Sequence, residues 1–420
     1  MISRFLALAS FIALVAGWLP DAPPSGVSLG AFQSSGTKKI RGVNAGSQYI
    51  VEPWMASSEW NGNMKCNNAQ AERQCVEQAY GGDMNAASEV WQGHWDRWIT
   101  QGDIRTMVSY GLNTIRIPVG FWMKEDILNQ YEHYPKGGFT HLQKFCSWAS
   151  DAGMYIIVDL HGMPGRQKGN DAFTGDHPKS SPSIHQYQSS TGFYQSDYES
   201  GRAYDFLKWM TAHIHRNATL RNVGAIELVN EPLREDSGNT RWMVEHYYPS
   251  AIDAIRGVED ELGVDDAHRL NIIMMDDLWA SGPEATSSLS DAQKRHLLFD
   301  DHNYQGSPID ECGGAQSCAL SYACSSEPGK GNRVTAQSPK VVGEWSMKLN
   351  QLGGQELQNV QFFRQYFAAQ QSQYEKTLGW IYWTWKTDHF NDYLQWSYKD
   401  AVEQGIIDKD LNAMLRNSPC

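Results

Sequence analysis

Two glutamates in this 420-residue chain each follow a short apolar run, and they are the residues best placed for chemistry. Glu231 follows the run that begins at Val223, and Glu344 follows the run that begins at Lys340. Runs of this length, rich in Val, Ile and Leu, are typical of buried parallel strands. A carboxylate at the C-terminal end of such a strand lies where parallel barrels hold their active sites. Two carboxylates facing each other across one cleft predict the hydrolysis of a glycosidic bond.

The elements that must position these glutamates form a repeated pattern of strands and amphipathic helices. Strand–helix alternation of this kind predicts an α/β fold, a (β/α)8 TIM barrel, as a single domain over residues 38–415 with long loops on its C-terminal face. The alternative is an open doubly wound sheet, which normally carries a glycine-rich phosphate turn after its first strand, and Gly42-Val-Asn-Ala-Gly46 lacks that pattern. The eight predicted strands are 39–43, 114–119, 155–159, 223–229, 270–275, 297–300, 341–343 and 378–384.

Polar and aromatic side chains gather at the ends of seven of these eight runs. A single histidine or arginine at a strand end is more often structural than functional, but their common placement on one rim predicts a site there. A metal site is the alternative, although no short ligand motif supports it. The metal site would use His161, Glu231, His302 and Glu344. The full set of strand-end residues is Asn44, Arg116, His161, Asn230, Glu231, His302, Tyr304, Glu344 and Trp385.

These motifs resemble those of glycoside hydrolase family 5, and within that family those of the fungal β-glucanases. The resemblance covers about residues 38–400, which is most of the chain. The motifs that carry it are Arg41-Gly-Val-Asn44, Glu52-Pro-Trp54, His161-Gly-Met-Pro-Gly165, Val342-Gly-Glu344-Trp-Ser346 and Trp383-Thr-Trp385-Lys-Thr387.

The resemblance implies a retaining hydrolase that needs no cofactor, with Glu231 as the acid/base and Glu344 as the nucleophile. Retaining enzymes hold their two carboxyl groups about 5 Å apart. We expect Arg116 and Tyr304 to keep the nucleophile ionised. We also expect the neighbouring carboxylate to raise the pKa of Glu231, which must hold a proton near the working pH.

The resemblance also implies how the sugar is held. Asn230 is expected to hydrogen-bond the 2-hydroxyl of the reacting sugar, and His161 and His302 to orient the sugar and the carboxylates. Trp385 is expected to form the floor under the sugar ring. The remaining expected substrate-binding residues are Asn44 and Glu52.

The linkage that is cut depends on finer differences within the fungal branch. The chain has Asn44-Ala-Gly-Ser47 and His302-Asn303-Tyr304, where the related exo-β-1,3-glucanases carry Asn-Leu-Gly-Gly and His-His-Tyr. Segments such as Glu52-Pro-Trp-Met-Ala56 and Phe173-Thr-Gly-Asp176 are more similar to the β-1,6-glucanases. We therefore expect an endo-β-1,6-glucanase, with an exo-β-1,3-glucanase as the alternative. A catalytically silent glucan-binding wall protein on the same scaffold is a third possibility.

The composition is consistent with a carbohydrate ligand. A net charge of −13 and a pI near 5.4 argue against nucleic acid or an anionic membrane as a partner. The 16 tryptophans and 19 tyrosines suit a cleft in which flat rings pack on the apolar faces of sugars. We expect a monomer whose partner is a β-glucan polysaccharide or oligosaccharide.

The N-terminus predicts export from the cell. One arginine, Arg4, precedes a nearly uncharged stretch from Phe5 to Leu19, which is the layout of a signal peptide, here residues 1–17. We therefore expect a secreted protein, located outside the cell or in the cell wall. Asn217-Ala-Thr219 is a glycosylation sequon that such a protein would expose.

Seven cysteines leave one unpaired in a secreted chain. Cys146 lies on the apolar face of a predicted helix and is expected to be the free thiol. Cys66 and Cys75 are expected to pair because they are close in sequence, whereas the pairing of the other four stays open. A zinc site formed by the cysteines at 312–324 is an alternative, but their spacing fits zinc motifs poorly.

Overall fold

The computed structural model of the protein describes residues 39–169, 171–177, 191–233, 237–275, 286–306, 312–325, 340–352, 355–388 and 394–420. The predicted signal peptide, residues 1–17, lies outside these ranges. In the described ranges, no helix is long and apolar enough to cross a membrane.

Eight parallel strands form a closed barrel in which neighbours in sequence are neighbours in space, and β1 pairs with β8 to close it. The predicted (β/α)8 fold is therefore confirmed. The fourth strand ends at Glu227, earlier than predicted, because the chain leaves the ladder before Asn230 and Glu231. The strands are β1 Ile40–Asn44, β2 Thr114–Gly120, β3 Tyr155–Gly162, β4 Val223–Glu227, β5 Asn271–Met274, β6 Leu297–His302, β7 Lys340–Glu344 and β8 Gly379–Tyr382.

Helices surround the barrel and bury one apolar face each against it. In α5, for example, the Ser196 side chain accepts a hydrogen bond from the Glu199 amide to begin the helix, and α7 ends at Gly263 in the left-handed conformation with φ 68°. In the described ranges, the α-helices are α1 Glu72–Ala79, α2 Met84–Arg97, α3 Gln101–Ser109, α4 Gly138–Asp151, α5 Asp197–Arg216, α6 Ser237–Trp242, α7 Tyr248–Leu262, α8 Gln316–Ser325, α9 Val360–Tyr374, α10 Tyr398–Glu403 and α11 Leu411–Arg416.

The barrel interior changes from apolar at one end to charged at the other. Near the N-terminal ends of the strands lies an apolar cluster that includes Ile157, Ile273 and Ile381. Toward the C-terminal ends, the strands place charged groups inside the barrel instead, and all are almost completely buried. This charged layer consists of Arg116, Asp159, Glu227 and Asp300.

Three disulfides join loops and the C-terminus to one another and to helices α1 and α8. The predicted Cys66–Cys75 bridge is confirmed, and Cys146 is the buried free cysteine as predicted. The zinc alternative is wrong, because its cysteines are consumed by two further bridges. These bridges are Cys312–Cys318 and Cys324–Cys420.

Gly343 lets β7 pass close to a buried carboxylate, and we expect Gly343→Ala to destabilise the fold. Its amide donates to Asp300 Oδ1 at 2.7 Å, and a Cβ at this position would overlap both oxygens of that carboxylate. Overpacking of this kind costs about 1–3 kcal/mol, which denaturant unfolding can measure. The control is Gly201→Ala in α5, where a Cβ meets no described atom within 4 Å. That helix substitution should be neutral or stabilising, and equal losses in both variants would contradict the prediction.

Candidate active site

The two glutamates face each other at the C-terminal end of the barrel, with a histidine between them. The side-chain oxygens of Glu231 and Glu344 and a ring nitrogen of His302 all lie within 4.8 Å of one another. Glu231 has an unusual backbone conformation for a side-chain-bearing residue, with φ 40°, and its amide points at Met275 Sδ at 3.1 Å. One oxygen of Glu231 and one of Glu344 thus lie within 4.8 Å of each other, which matches the short spacing of the two carboxyl groups in retaining glycosidases.

Glu344 is held through both of its oxygens by fixed donors. Arg116 Nη1 donates to Oε1 at 2.9 Å, and the Tyr304 hydroxyl donates to Oε2 at 2.8 Å. These are the two residues expected from the sequence to support this carboxylate. The structure therefore brings the three together as predicted.

Arg116 is completely buried, and its remaining N–H groups donate to residues of the surrounding strands. Its Nε donates to Glu227 at 2.7 Å, and its terminal nitrogens donate to Asn44 at 3.0 Å and Asn230 at 2.9 Å. Nη2 also lies 3.1 Å from Asp159. One guanidinium thus fixes the side chains of residues from four strand ends.

Glu231 has partners of a different kind from those of Glu344. His302 Nδ1 lies 2.8 Å from its Oε1, and Lys168 Nζ lies 3.2 Å from its Oε2. His302 Nδ1 is also 3.5 Å from Glu344, and its Nε2 is 3.5 Å from Asp300. One of these partners, His302, belongs to the residue type whose protonation changes most readily near neutral pH.

The pKa values of the pair run in an order that the sequence did not predict. Burial raises the pKa of Glu231, but the hydrogen bond and charge of His302, together with Lys168, outweigh it and lower the pKa to about 2. Burial also raises the pKa of Glu344, an effect that His302 and Arg116 offset only in part. The expectation that the neighbouring carboxylate would leave Glu231 with a raised pKa is therefore wrong in this structure.

The carboxylates around His302 favour its protonated form. Burial lowers the pKa of His302, but the surrounding carboxylates, Glu344 and Asp300 first among them, raise it well above its ordinary value. A cationic His302 then donates to Glu231. In a coupled cluster of this kind, the apparent pKa values belong to the group as a whole.

The other predicted sugar-binding residues differ in how the structure places them. His161 lies beside the site and bonds Asp159 at 2.5 Å. Glu52 is buried, accepts a hydrogen bond from Trp54 at 2.9 Å and feels the charges of both catalytic candidates. Burial is the main cause that raises the pKa of Glu52 to about 8.

The prediction that Trp385 forms the floor of the site is wrong. Its ring is fully buried in the outer layer, where Nε1 donates to Asp103 of α3 at 3.1 Å. The ring that faces the site is that of Trp383, which stacks on His161 with an interplanar angle of 4° and a centroid distance of 5.6 Å. The two tryptophans are two residues apart, and the sequence motif alone does not say which one faces inward.

Sequence analysis missed three further residues of the site: Asp159, Glu227 and Lys168. The two acids offered a signal, because a carboxylate inside an otherwise apolar barrel strand has to find a partner there. Lys168 offered none, since it lies in a loop and reaches Glu231 only through the fold.

The metal alternative is only partly matched by the geometry. Two groups of three described side chains bring ligand atoms within 4.8 Å of one another, namely Glu227, Asp300 and His302, and Glu231, His302 and Glu344. His161 of the predicted metal set belongs to neither group. Arg116 contacts Glu227 and Asp300 in the first group and Glu344 in the second, and it supplies positive charge there.

A (β/α)8 barrel that holds two carboxyls this close, with an arginine, histidine and tyrosine around them, defines the class of glycoside hydrolases. The family model described as cellulase (glycosyl hydrolase family 5) matches residues 75–389. The chain belongs to that family, and it is a hydrolase as the sequence motifs predicted.

Relatives and solved structures agree with this assignment. The chain is 42% identical to the "Probable glucan endo-1,6-beta-glucosidase B" of Neosartorya fischeri over 100% of both chains. It is 45% identical to the "Glucan endo-1,6-beta-glucosidase B" of Emericella nidulans over 91% of this chain and 88% of the relative. The crystal structure of rutinosidase from Aspergillus niger shares the fold, with a TM-score of 0.66 and 17% identity over 88% of this chain and 98% of that one.

We expect Glu227→Gln to change how stability depends on pH. Burial is the main cause that raises the pKa of Glu227 well above its ordinary 4.5. The native state therefore holds this proton more tightly than the unfolded chain, and the free energy of unfolding falls as pH rises above about 4.5. Glutamine removes this loss while it keeps an acceptor for Arg116.

Urea unfolding between pH 4 and pH 8 measures this effect. The variant should gain stability relative to the wild type as pH rises, and parallel curves for the two proteins would contradict the prediction. Glu227→Leu is the control: it removes the same titrating group but leaves Arg116 Nε without this acceptor, so it should be about 1–3 kcal/mol less stable than Glu227→Gln at every pH.

The two neighbouring tryptophans should separate activity from stability. Trp383→Ala is expected to reduce kcat/KM by about a hundredfold, because a ring stacked beside the reacting sugar is worth about 2–3 kcal/mol. Trp385→Ala should instead lower the free energy of unfolding by about 3–5 kcal/mol, because it opens a cavity in the outer layer. Initial rates and thermal unfolding are measured for both variants. A loss of activity in Trp385→Ala together with a loss of stability in Trp383→Ala would indicate that Trp385 forms the floor of the site.

Proposed function

We propose that this protein is a secreted β-glucanase that hydrolyses β-1,6-glucosidic linkages in cell-wall glucan by double displacement. The observation that carries the proposal is the pair Glu231 and Glu344, which lie close together but have partners of opposite kinds. The β-1,6 linkage is supported by the names of relatives that are 41–45% identical to the chain.

Glu344 is the better nucleophile because its partners do not titrate near neutral pH. Arg116 is permanently charged, and the Tyr304 hydroxyl, whose pKa burial raises well above its ordinary value, stays protonated. In the first step, a Glu344 oxygen bonds to the anomeric carbon while the bond to the leaving oxygen breaks. The same two donors then stabilise Glu344 as the leaving carboxylate in the second step.

Glu231 is the better acid/base because its partner His302 can exchange a proton with it. In the first step Glu231 gives a proton to the leaving oxygen, and in the second it takes one from the attacking water as the bond to Glu344 breaks. A proton on His302 Nδ1 would lie in the 2.8 Å contact between that nitrogen and Glu231 Oε1. The low pKa of Glu231 is therefore compatible with this role, since the histidine and the carboxylate share one proton.

The remaining residues orient the sugar in this scheme. Asn230 is fixed by Arg116 and lies next to the acid/base, where it would bond the 2-hydroxyl. Trp383 and His161 offer stacked rings to one side of the reacting sugar. Glu52 and Trp54, linked by a hydrogen bond, would contact a neighbouring sugar.

The substrate is tested with pustulan, a β-1,6-glucan, and laminarin, which is mainly β-1,3-linked. We expect reducing sugar from pustulan in the form of oligosaccharides, and little from laminarin. Release of glucose alone from laminarin would instead support an exo-β-1,3-glucanase. A relative from Kluyveromyces lactis that is 26% identical is named "Glucan 1,3-beta-glucosidase", which is the support for this alternative. If neither glucan is cut, the hydrolase activity itself is wrongly assigned and a glucan-binding role is favoured.

The roles of the two glutamates are tested by removing each carboxylate. Glu344→Gln and Glu231→Gln should each lower kcat by at least about a thousandfold, whereas Glu403→Gln, an exposed residue in α10, should not.

Azide then distinguishes the two positions, because it replaces the missing group. With Glu344→Ala it should attack the anomeric carbon directly and yield an α-glycosyl azide. With Glu231→Ala it should open the glycosyl-enzyme and yield a β-glycosyl azide. The reverse anomers, identified by NMR, would exchange the two roles.

A further inference from the structure

Lys168 is held against Glu231 by a loop that the barrel itself anchors. The neighbouring Gln167 is fully buried, and its Nε2 donates to the carbonyls of His161 at 2.6 Å and Asn230 at 2.9 Å. Its Oε1 accepts from the Met163 amide at 3.2 Å. The backbone at Lys168 is therefore tied to the same strand end that carries the acid/base.

The Lys168 ammonium group lies near two carboxylates and an aromatic ring in the described part of the chain. It lies 3.2 Å from Glu231 Oε2, 3.3 Å from Asp171 and 5.4 Å from the centre of the Phe173 ring. Its side chain is 20% exposed, so the ammonium group can still reach a ligand in the cleft. A lysine in this setting can change partners without a change in the backbone.

The two oxygens of Glu231 are not equivalent. Oε1 is occupied by the 2.8 Å contact with His302, which lies between the two glutamates. Oε2 is therefore the oxygen that remains to meet the leaving oxygen of the substrate. Lys168 lies on that same oxygen, so a substrate that reaches Oε2 also meets the ammonium group.

We infer that Lys168 binds the sugar on the leaving side of the scissile bond, and that it releases Glu231 when that sugar enters and returns to Glu231 when the sugar departs. This inference rests on the proposed function, in which Glu231 is the proton donor. An ammonium group has three donors, which suit the hydroxyl and ring oxygens of a sugar.

When Lys168 exchanges Glu231 for the leaving sugar and back again, its positive charge moves away from Glu231 in the first step and toward it in the second. While the leaving sugar is bound, Lys168 is drawn away and Glu231 keeps a proton more easily. After the sugar has left, Lys168 stabilises the ionised Glu231, which must accept a proton from water. The lowered pKa of Glu231, to which Lys168 contributes after His302, is consistent with the second arrangement.

The groups that act on Glu231 come from several parts of the barrel rim, so the effect of Lys168 has to be separated from theirs. All of them remain in place when Lys168 alone is changed. They are Asp171 in the same loop, Glu52 after β1, His302 and Tyr304 at and after the end of β6, and Glu344 on β7.

The test is Lys168→Met, which keeps an apolar stem beside Phe173 but removes the charge. Two substrates are compared: the glucan that the wild type cuts best, and the nitrophenyl glycoside of the disaccharide with the same linkage, which has no sugar on the leaving side. On the glucan, KM should rise at least about tenfold. On the nitrophenyl substrate, kcat/KM, which reports the first step, should change less than about threefold, because a nitrophenolate leaves without a proton.

The pH profiles give a second readout that a purely structural role would not move. The basic limb of kcat/KM, which reports the free enzyme, should shift to higher pH in Lys168→Met, because Glu231 has lost a neighbouring cation. The basic limb of kcat, which reports the complex, should stay in place, because Lys168 has already left Glu231 there. Lys168→Arg is the conservative control and should restore at least part of the glucan KM.

Each outcome has a definite meaning. Equal losses on both substrates, or a shift of both limbs together, would overturn the inference and leave the proposed function intact. A wild type that cuts no glucan would overturn the proposed function and this inference with it. Thermal unfolding of Lys168→Met should match the wild type, so that a loss of activity is not a loss of fold.

Discussion

The site depends on one guanidinium enclosed within the barrel. Arg116 is the positive charge around which Asp159, Glu227 and Glu344 are arranged, and its hydrogen bonds also fix Asn230. Charges taken out of water cost several kcal/mol each unless they are paired, so these acids could not occupy the barrel without it. The closed sheet contributes rigidity in return, because each partner is attached to a strand that is hydrogen-bonded on both sides.

This arrangement also separates the two glutamates chemically. Glu344 is bound by an arginine and a tyrosine, whereas Glu231 is bound by a histidine and a lysine. Two identical side chains are thereby given different electrostatic surroundings by their neighbours. The distinction comes from the chemistry of the partners rather than from the depth of burial, since both carboxyls are enclosed.

The barrel and most of the strand-end residues could be predicted from the sequence, because apolar periodicity and polar strand ends are local signals. Local signals do not predict which of Trp383 and Trp385 faces the site. Both follow the same strand, and only the path of the backbone after β8 decides which ring points inward. The order of the pKa values was mispredicted for a related reason. It depends first on His302, which comes from another strand, and then on Lys168, whose distance to Glu231 is set by a loop anchored through Gln167.

The Cys324–Cys420 bridge has a consequence for a chain that is cut. The two cysteines are 96 residues apart in sequence, and their bridge closes a covalent ring. Within this ring lie β7 with Glu344 and β8 with the following Trp383. If a protease breaks a single peptide bond inside that ring, the two fragments remain one molecule, and Glu344 is still tethered to the rest of the barrel. Reduction of the bridge removes that safeguard, so the oxidation state of two cysteines determines whether a nicked enzyme remains whole.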